Sequence, residues 1–247
     1  MGHAGRKAQD AIQSVGASEI YEGSEDKEVG QTKLNKPKAL SAEEVREVIE
    51  QFKVAAERAV KAGFDTIQLH GAHGFLIHQF MSPIFNNRKD EYGSDLSKFG
   101  VEVIKAMKSV MPQDMPLSMR LSAIEYVDGG YDLEYCLAMA EKFRDAGVDA
   151  FHVSTGGEGE PGKLKPGNYP GYQVPFARAF KERLGVPVIA VGMLDAPALA
   201  EATLSNQDAD LVAIGRGMLS DPYWSLRAIK EVTGEVVVPI QYARAFR

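Results

Sequence analysis

The chain reads TIQLHGAHG over Thr66–Gly74, where a short apolar strand pattern leads into two histidines three residues apart. Glycine and alanine surround His70 and His73, so the imidazoles have small neighbours rather than core-forming ones. Histidines at the end of a strand can offer their ring nitrogens to a ligand. A strand that only packs in the core ends in apolar side chains instead. The stretch therefore predicts a buried strand with functional residues at its carboxyl end.

The residues upstream of this strand have the pattern of an amphipathic helix. Ser41–Glu44 has the form of a capping box, and apolar residues follow it at helical spacing until Gly63. The helix-to-strand join over Lys61–Ile67 recurs over Asp145–Phe151 and, more loosely, over Asp208–Val212. Alternating helices and buried strands are typical of βαβ units, so we predict an α/β fold with a parallel sheet.

Short apolar runs rich in β-branched residues predict five strands, at Thr66–Leu69, Leu117–Leu121, Ala150–Ser154, Val188–Val191 and Leu211–Ile214. Helical patterns follow these strands, over Lys98–Val110, Asp132–Ala146, Pro175–Leu184, Ala196–Leu204 and Pro222–Val232. Residues 9–40 combine charges, glycine and proline without regular periodicity, which predicts an irregular surface excursion. Because no linker interrupts the later pattern, residues 1–247 are expected to form a single domain.

The composition sets outer limits on function. The 247 residues are 45% hydrophobic with a formal net charge of -6, which suits one sizeable core and argues against an extended nucleic-acid interface. The single cysteine, Cys136, excludes an internal disulfide and is expected to pack on the apolar face of a helix. The N-terminus lacks the apolar segment of a secretory signal, and no apolar run approaches the ~20 residues of a membrane helix. We therefore expect a cytoplasmic protein without membrane or nucleic-acid partners.

Polar residues or glycines accompany all five predicted strands, mostly at their carboxyl ends: His70 and His73, Arg120, Ser154–Gly157, Gly192, and Gly215–Gly217. In a parallel α/β barrel or open sheet, the carboxyl ends of the strands form the site face. Glycines after the last two strands, with Arg216 beside one of them, suit a phosphate held by backbone N–H groups and a guanidinium. Considered alone, the same glycines could equally serve tight turns.

Seven blocks, in order along the chain, carry a resemblance to a known family: Gly2–Arg6, His70–Pro83, Asn87–Gly93, Met119–Ser122, Pro170–Gln173, Val191–Met193 and Ile214–Arg216. Together they resemble the Old Yellow Enzyme family of FMN-dependent ene-reductases, in its bacterial NADH:flavin oxidoreductase branch. The resemblance implies a (β/α)8 TIM barrel, FMN as cofactor and NADH or NADPH as reductant. It also implies a small electrophilic alkene, such as an enone, as substrate.

The resemblance assigns roles to three residues near the reacting atoms. His70 and His73 match the catalytic pair that binds the substrate carbonyl above the flavin. Two donors on one oxygen stabilise the enolate charge that grows during hydride transfer. Arg120 matches the arginine beside the flavin pyrimidine, where a positive charge favours the anionic reduced ring.

Five further residues are assigned by the resemblance. Gly192, Gly215 and Arg216 match the FMN phosphate site, and Met193 is expected to bind the cofactor beside Gly192. Arg244 lies in a C-terminal stretch that resembles the tail by which some members insert an arginine into a neighbouring subunit's active site. This implies substrate binding by Arg244 in a homo-oligomer, against the alternative of a solvated terminal arginine.

Three departures from the family pattern bear on activity. Phe75 stands where many relatives have a tyrosine that protonates the substrate α-carbon, so another group or water must supply that proton. Asp95–Phe99 stands where the family usually has an acidic-Asn-Arg stretch after Tyr-Gly, a change that concerns packing. Five predicted strands and a strand tail at Met1–Ala4 fall short of the eight in a closed barrel. We hypothesise an N-terminally truncated, incomplete barrel of about five to six strands with impaired flavin affinity.

Two other functional classes stay open. A non-catalytic fragment could act as an interaction module whose exposed sheet edges pair with another copy. A metal-dependent hydrolase could use His70 and His73 with His78 as a third zinc ligand, although we interpret His78 as structural.

His152 alternates with apolar residues on its strand and is interpreted as a hydrogen-bonded core histidine. Arg120 must be paired if it is buried, by flavin or by a carboxylate.

Overall fold

Nine strands are present in the residues that a computed structural model describes, which are 14–20, 28–29, 32–33, 37–157 and 161–246. They are β1 (Val15–Gly16), β2 (Glu28–Val29), β3 (Thr32–Lys33), β4 (Lys38–Ala39), β5 (Ile67–Gly71), β6 (Leu117–Ser122), β7 (Ala150–Ser154), β8 (Val188–Val191) and β9 (Leu211–Ala213). β1 pairs in parallel with β4, and β2 pairs with β3 in an antiparallel hairpin. The predicted strand tail at Met1–Ala4 and the block Gly2–Arg6 lie outside the described residues, and the extent of the irregular excursion over residues 9–40 stays a prediction.

The remaining strands form one parallel sheet in the order β5-β6-β7-β8-β9. Each is joined to the next by a segment containing at least one helix, which is the arrangement that parallel pairing requires. All five strands fall within two residues of their predicted ends, so the predicted α/β fold is confirmed. In the register, His70 lies opposite Arg120, and Arg120 lies opposite His152.

Nine α-helices and one 3-10 helix are present in the same residues. They are α1 (Ala42–Lys61), α2 (Leu76–Met81), α3 (Glu91–Ser94), α4 (Lys98–Lys108), α5 (Leu133–Ala146), α6 (Val174–Leu184), α7 (Pro197–Ser205), α8 (Arg216–Ser220), α9 (Trp224–Thr233) and the 3-10 helix Ile240–Phe246. None of these helices is both long enough and apolar enough to cross a bilayer.

The capping box predicted for α1 is complete. The Ser41 hydroxyl accepts the Glu44 N–H at 3.1 Å, and the Glu44 carboxylate accepts the Ser41 N–H at 2.8 Å. These reciprocal bonds satisfy two donors that the first turn would otherwise leave to water. At the other end, Gly63 adopts a φ of 80°, which ends the helix and turns the chain toward β5.

The core lies between the sheet and the helices packed against it. Phe151 and Val153 of β7 are fully buried, and the Phe151 ring meets Phe180 of α6 edge-on at 5.9 Å. Because side chains alternate across a strand, His152 and Ser154 point to the opposite face of the sheet. Cys136 of α5 is buried in the core as expected, with its thiol 3.4 Å from the Ser122 carbonyl oxygen. The polar face of β5, β6 and β7 is therefore the face that positions the site.

Candidate active site

The turn after β5 holds the first candidate residues in a constrained backbone. His73 has a φ of 57°, in the left-handed region that residues with a Cβ atom seldom adopt. Its N–H donates to the Ser122 hydroxyl at 3.2 Å, and that hydroxyl donates to the Gly156 carbonyl at 2.8 Å. The turn is thus fastened to the ends of both β6 and β7. A strained backbone conformation persists only where surrounding contacts maintain it. Such conformations cluster at functional sites.

The two histidines lie beside each other in this turn. The ring centroids of His70 and His73 are 5.4 Å apart with the rings nearly perpendicular, and Phe75 lies 4.4 Å from the His70 ring. The Nε2 atom of His73 is 2.7 Å from the Ser154 hydroxyl oxygen, and Ser154 donates to the Leu121 carbonyl at 3.2 Å. Ser154 therefore holds the His73 ring from the end of β7. Spacing along the chain could not identify this partner.

Arg120 projects from β6 on the same face of the sheet. Its side chain is partly buried, and burial lowers the pKa of its guanidinium. Nη1 lies 3.3 Å from His152 Nε2, whereas Nε is buried without a hydrogen-bond partner among the described residues. No carboxylate in the described part of the chain forms an ion pair with it. A buried cation in this state fits an anionic or acceptor-rich ligand.

His152 lies beside Arg120 on the neighbouring strand. It is buried, and its Nδ1 atom is 3.2 Å from the side-chain amide oxygen Oε1 of Gln68. Burial, followed by the charges of Arg120 and His70, lowers the pKa of His152 to about 4, so the ring is neutral near pH 7. The interpretation of His152 as a buried, hydrogen-bonded histidine agrees with the structure. Its partners, however, face the site rather than the apolar core.

The end of β8 has a backbone that only glycine fits. Gly192 has a φ of 126°, and a Cβ atom placed there would lie 2.7 Å from Gln173 Nε2. Gln173 bridges two strand ends, because its amide donates to the Val191 carbonyl at 3.2 Å and accepts from the Thr155 hydroxyl at 2.8 Å. The next residue, Met193, also has a positive φ, of 53°. Gly192 and Met193 both line the cavity at this turn.

The end of β9 completes this side of the site. Gly215 follows the strand and precedes α8, and a Cβ atom placed on it would meet nothing within 4 Å. Arg216 is the first residue of α8, and its side chain is exposed. The Trp224 indole N–H donates to the Asp195 carbonyl at 2.8 Å and so ties α9 to the turn after β8. The two glycine turns are therefore neighbours in space.

These residues surround a cavity of about 760 Å³. Six of the eight predicted site residues line it: His73, Arg120, Gly192, Met193, Gly215 and Arg216. His70 is not among the lining residues but contacts His73, and Arg244 lies in the C-terminal 3-10 helix away from the lining. The lining also includes residues to which sequence reasoning assigned no role, namely Ser154, Thr155, Asn168, Tyr172, Gln173, Asp195 and Ser220. Four of these residues lie in stretches that the sequence singled out: Ser154 and Thr155 in the run Ser154–Gly157 after β7, and Tyr172 and Gln173 in the Pro170–Gln173 block.

His78 belongs to a different, buried cluster. Its Nε2 atom lies 2.8 Å from the Glu125 carboxylate, and its Nδ1 atom accepts the Gly74 N–H at 3.3 Å. The side chains of His78 and Glu125 are fully buried. In the described ranges, no group of three or more histidine, cysteine, aspartate or glutamate side chains is arranged to hold a metal ion. His78 thus supports the turn that carries His73.

Comparison with known proteins gives consistent matches. The family described as NADH:flavin oxidoreductase / NADH oxidase matches residues 1–235. An NADPH dehydrogenase of Listeria monocytogenes serovar 1/2a is 40% identical over 250 residues, which cover 100% of this chain and 70% of the relative. An NADPH dehydrogenase of Bacillus subtilis is 40% identical over 213 residues, covering 85% of this chain and 62% of the relative.

Two solved structures share the fold over most of the chain. A 2-naphthoyl-CoA reductase in complex with 2-naphthoyl-CoA superposes with a TM-score of 0.78 at 23% identity, covering 90% of this chain and 33% of that one. The histamine dehydrogenase of Rhizobium sp. 4-9 superposes with a TM-score of 0.73 at 25% identity, covering 88% of this chain and 31% of that one. Both are much longer chains, so the likeness concerns the sheet and its helices.

Proposed function

Because the chain belongs to the NADH:flavin oxidoreductase / NADH oxidase family, we propose that it is an FMN-dependent oxidoreductase that reduces activated C=C bonds with electrons from NADPH or NADH. The family resemblance read from the sequence is thereby confirmed. The relatives named NADPH dehydrogenase favour NADPH as the reductant. The chain spans 70% of the length of the first of these relatives.

The residues of the cavity fit FMN. The cavity has a volume of about 760 Å³, which is within the range of small-molecule sites in proteins. Arg120 offers a guanidinium whose buried Nε lacks a partner in the described residues, which suits the acceptor-rich pyrimidine of a flavin. At the other end, Gly192, Met193 and Gly215 line the cavity with no side chain at the two glycines, and Arg216 offers a charge for the phosphate. These five residues are the ones we propose as the cofactor site.

When bound, FMN supplies the redox chemistry, accepting a hydride from NADPH or NADH and passing one to the substrate. The role of His70 and His73 is to bind the substrate carbonyl oxygen through ring N–H groups. Their donation stabilises the negative charge that grows on that oxygen, and removing one such donor typically costs about 10²–10³ in kcat. Ser154 holds the His73 ring through Nε2. Donation from the neutral ring to the substrate therefore comes from Nδ1, and it requires the Ser154 hydroxyl to turn from the Leu121 carbonyl and donate to Nε2.

Protonation of the substrate carbon is the step for which this chain has an unusual residue. Phe75 packs on His70 and carries no proton to donate. We therefore assign the proton to water that reaches the open cavity. This slows the carbon protonation relative to a site with a positioned phenol, because a general acid contributes about 10²–10⁴ in rate.

The state of Arg120 is the observation that carries the proposal, and FMN titration tests it. Quenching of FMN fluorescence by the purified chain measures the affinity. Arg120→Met retains the length of the side chain without the charge, and we expect FMN to bind about 10- to 100-fold more weakly to this variant, as loss of charge-assisted hydrogen bonds predicts. Arg183→Met, at an exposed arginine paired with Glu141, is the matched control and leaves the affinity unchanged. Equal affinity of FMN for the wild type and Arg120→Met would contradict the assignment.

The sheet itself limits how tightly FMN is held. In the described residues it ends at β5 and β9 rather than closing into an eight-stranded barrel. The strands that would close a barrel beside the cavity are not among the described residues. For this reason we propose weaker FMN binding than a closed barrel would provide, which a Kd in the micromolar range or above would support.

Self-association is a second candidate function, favoured by apolar side chains exposed near the C-terminus. Leu219 is 85% exposed, Val237 96% and Ile240 82%. Large exposed apolar patches on a protein mark sites of interaction with another protein. We propose that a second copy covers them and that Arg244, in the same segment, reaches the neighbouring cavity. The test is the oligomeric state, described below.

A further inference from the structure

A line of polar side chains crosses three strands beneath the cavity. Arg120 of β6 has His152 of β7 opposite it in the register, and Gln68 of β5 contacts the far side of the His152 ring. His152 itself is not among the residues that line the cavity. Neither the family match nor the proposed catalytic roles give His152 or Gln68 a function. Their hydrogen bonds nevertheless have a defined direction.

The direction follows from the chemistry of the guanidinium. An arginine side chain only donates, so the 3.3 Å contact makes His152 Nε2 the acceptor. In a neutral imidazole the proton must then be on Nδ1, which donates to Gln68 Oε1 at 3.2 Å. The Gln68 amide nitrogen in turn donates to the Ser118 hydroxyl at 3.2 Å, and that hydroxyl is 3.4 Å from the Ile67 carbonyl. Each side chain in this series of hydrogen bonds thus has one orientation.

The contact with His152 is the only hydrogen bond that Arg120 makes to a described residue. Without it, the guanidinium would have no hydrogen bond in the described part of the chain to set its rotamer, and a long arginine side chain would sample several. A protonated His152 could not replace the neutral ring, because it would present an N–H to a cation. The tautomer of His152 therefore decides where the positive charge of Arg120 lies.

We propose that His152, oriented by Gln68, is a positioning residue that aims Arg120 at the flavin and thereby sets the reduction potential of bound FMN. The inference rests on the proposed FMN site, because it assigns a supporting role behind Arg120. His152 does not touch the cofactor. Its effect is electrostatic and passes through Arg120, whose fixed charge stabilises the reduced, anionic form of the ring more than the oxidised form.

Two substitutions at His152 separate positioning from simple filling of space. His152→Leu fills the position but offers no acceptor to Arg120. His152→Gln offers an amide oxygen to Arg120 and an amide donor to Gln68, so it can rescue the chain of hydrogen bonds. Val153→Ala is the matched control, because Val153 is a buried neighbour on the same strand whose side chain faces the apolar core.

The measurements are the Kd of oxidised FMN and the midpoint potential of the FMN-loaded chain. We expect about tenfold weaker binding of the reduced form relative to the oxidised form in His152→Leu, which lowers the midpoint potential by ~30 mV. His152→Gln stays within about twofold of the wild type in this ratio, and Val153→Ala loses thermal stability but keeps the ratio unchanged. An unchanged potential in His152→Leu, or an equal shift in Val153→Ala, would overturn the proposal.

A measurement without flavin keeps this inference separate from the proposed function. Long-range ¹H–¹⁵N NMR of the flavin-free chain identifies the tautomer of each histidine, and His152→Gln assigns the signal. We expect His152 to be neutral with its proton on Nδ1 at pH 7. A proton on Nε2, or an imidazolium, overturns the positioning role even if FMN binds. Failure of the wild type to bind FMN, with the Nδ1–H tautomer present, would instead overturn the FMN assignment and leave the orientation of Arg120 by His152 established.

Discussion

Among single residues, the proposed site places two histidines, which can donate hydrogen bonds, beside an aromatic residue that cannot. Phe75 contacts His70 at a centroid separation of 4.4 Å, so a phenol at this position would lie beside the proposed carbonyl-binding pair. Its hydroxyl would be available to protonate a substrate carbon. Because Phe75 lacks that group, the proposed reaction must take this proton from elsewhere.

Phe75→Tyr is therefore expected to accelerate the oxidative half-reaction. The added hydroxyl supplies a positioned general acid, so the rate of enone reduction should rise by about tenfold or more. Stopped-flow oxidation of the reduced, FMN-loaded chain by 2-cyclohexenone measures this rate. Phe64→Tyr, at an exposed phenylalanine remote from the cavity lining, serves as the control. A rate no higher than that of the wild type would show that carbon protonation does not limit the reaction.

The neutral state of His152 predicts how stability depends on pH. The pKa of His152 is about 4 in the folded chain and 6.5 ordinarily, so the unfolded chain binds more protons between these values. Stability that is present above pH 6.5 is thus lost as the pH falls toward 4, by about 3 kcal/mol for this group alone. Urea unfolding at pH 7 and pH 4 should show a larger loss for the wild type than for His152→Gln. Equal losses in the two proteins would refute a depressed pKa.

At the scale of structural elements, the ends of β8 and β9 shape the proposed phosphate site through backbone rather than side chains. The clasp of Gln173 between Thr155 and Val191 leaves no room for a Cβ atom at Gly192. Gly192 and Met193 both have positive φ values, and both line the cavity at this turn. The shape of this turn therefore depends on Gly192 and on the hydrogen bonds of Gln173.

Gly192→Ala tests this turn. The new methyl group would press on Gln173 and force an L-residue into a φ of 126°, which costs about 1–3 kcal/mol and should weaken FMN binding as the clasp shifts. Gly185→Ala is the control, because Gly185 also has a positive φ, of 65°, but has open space around its Cβ position and ends α6 outside the cavity lining. We expect both variants to unfold at lower urea concentration and only Gly192→Ala to bind FMN more weakly. Unchanged FMN affinity in Gly192→Ala would contradict the phosphate assignment.

Much of the element level could be predicted from sequence. The five strands were found because each is a continuous apolar run, and α1 was found because its capping box is local. The helices α3 and α8 were not predicted, since four or five residues are too few to show a helical period. The contacts of Ser154 with His73 and of His152 with Arg120 join residues 81 and 32 positions apart. Only the strand register brings them together, and no spacing in the sequence encodes that register.

At the scale of the whole molecule, the described sheet ends at β5 and β9, and exposed apolar side chains continue from α8 to the C-terminus. Burial of such a surface by a second copy would remove several large apolar side chains from water, each worth about 1.5–3 kcal/mol when fully buried. Leu219 is the largest exposed contributor within a helix. It is therefore the residue at which association can be tested with least harm to the core.

Light scattering after size exclusion is expected to give the mass of a dimer or larger oligomer for the wild type. Leu219→Lys introduces a charge into the proposed interface and should yield monomers, whereas Leu164→Lys, at an exposed leucine in a loop, should leave the mass unchanged. If the wild type is a monomer at high micromolar concentration, self-association and the intersubunit role of Arg244 are both wrong.

We propose that this chain uses FMN to move electrons from a reduced nicotinamide to an activated alkene. Its most direct test is anaerobic mixing of the FMN-loaded chain with NADPH and then with 2-cyclohexenone, while the visible flavin absorbance is recorded. We predict that NADPH bleaches the flavin band, that the enone restores it with formation of cyclohexanone, and that a His70→Ala/His73→Ala double variant completes only the first step. A flavin band that NADPH leaves unchanged under saturating FMN would contradict the account.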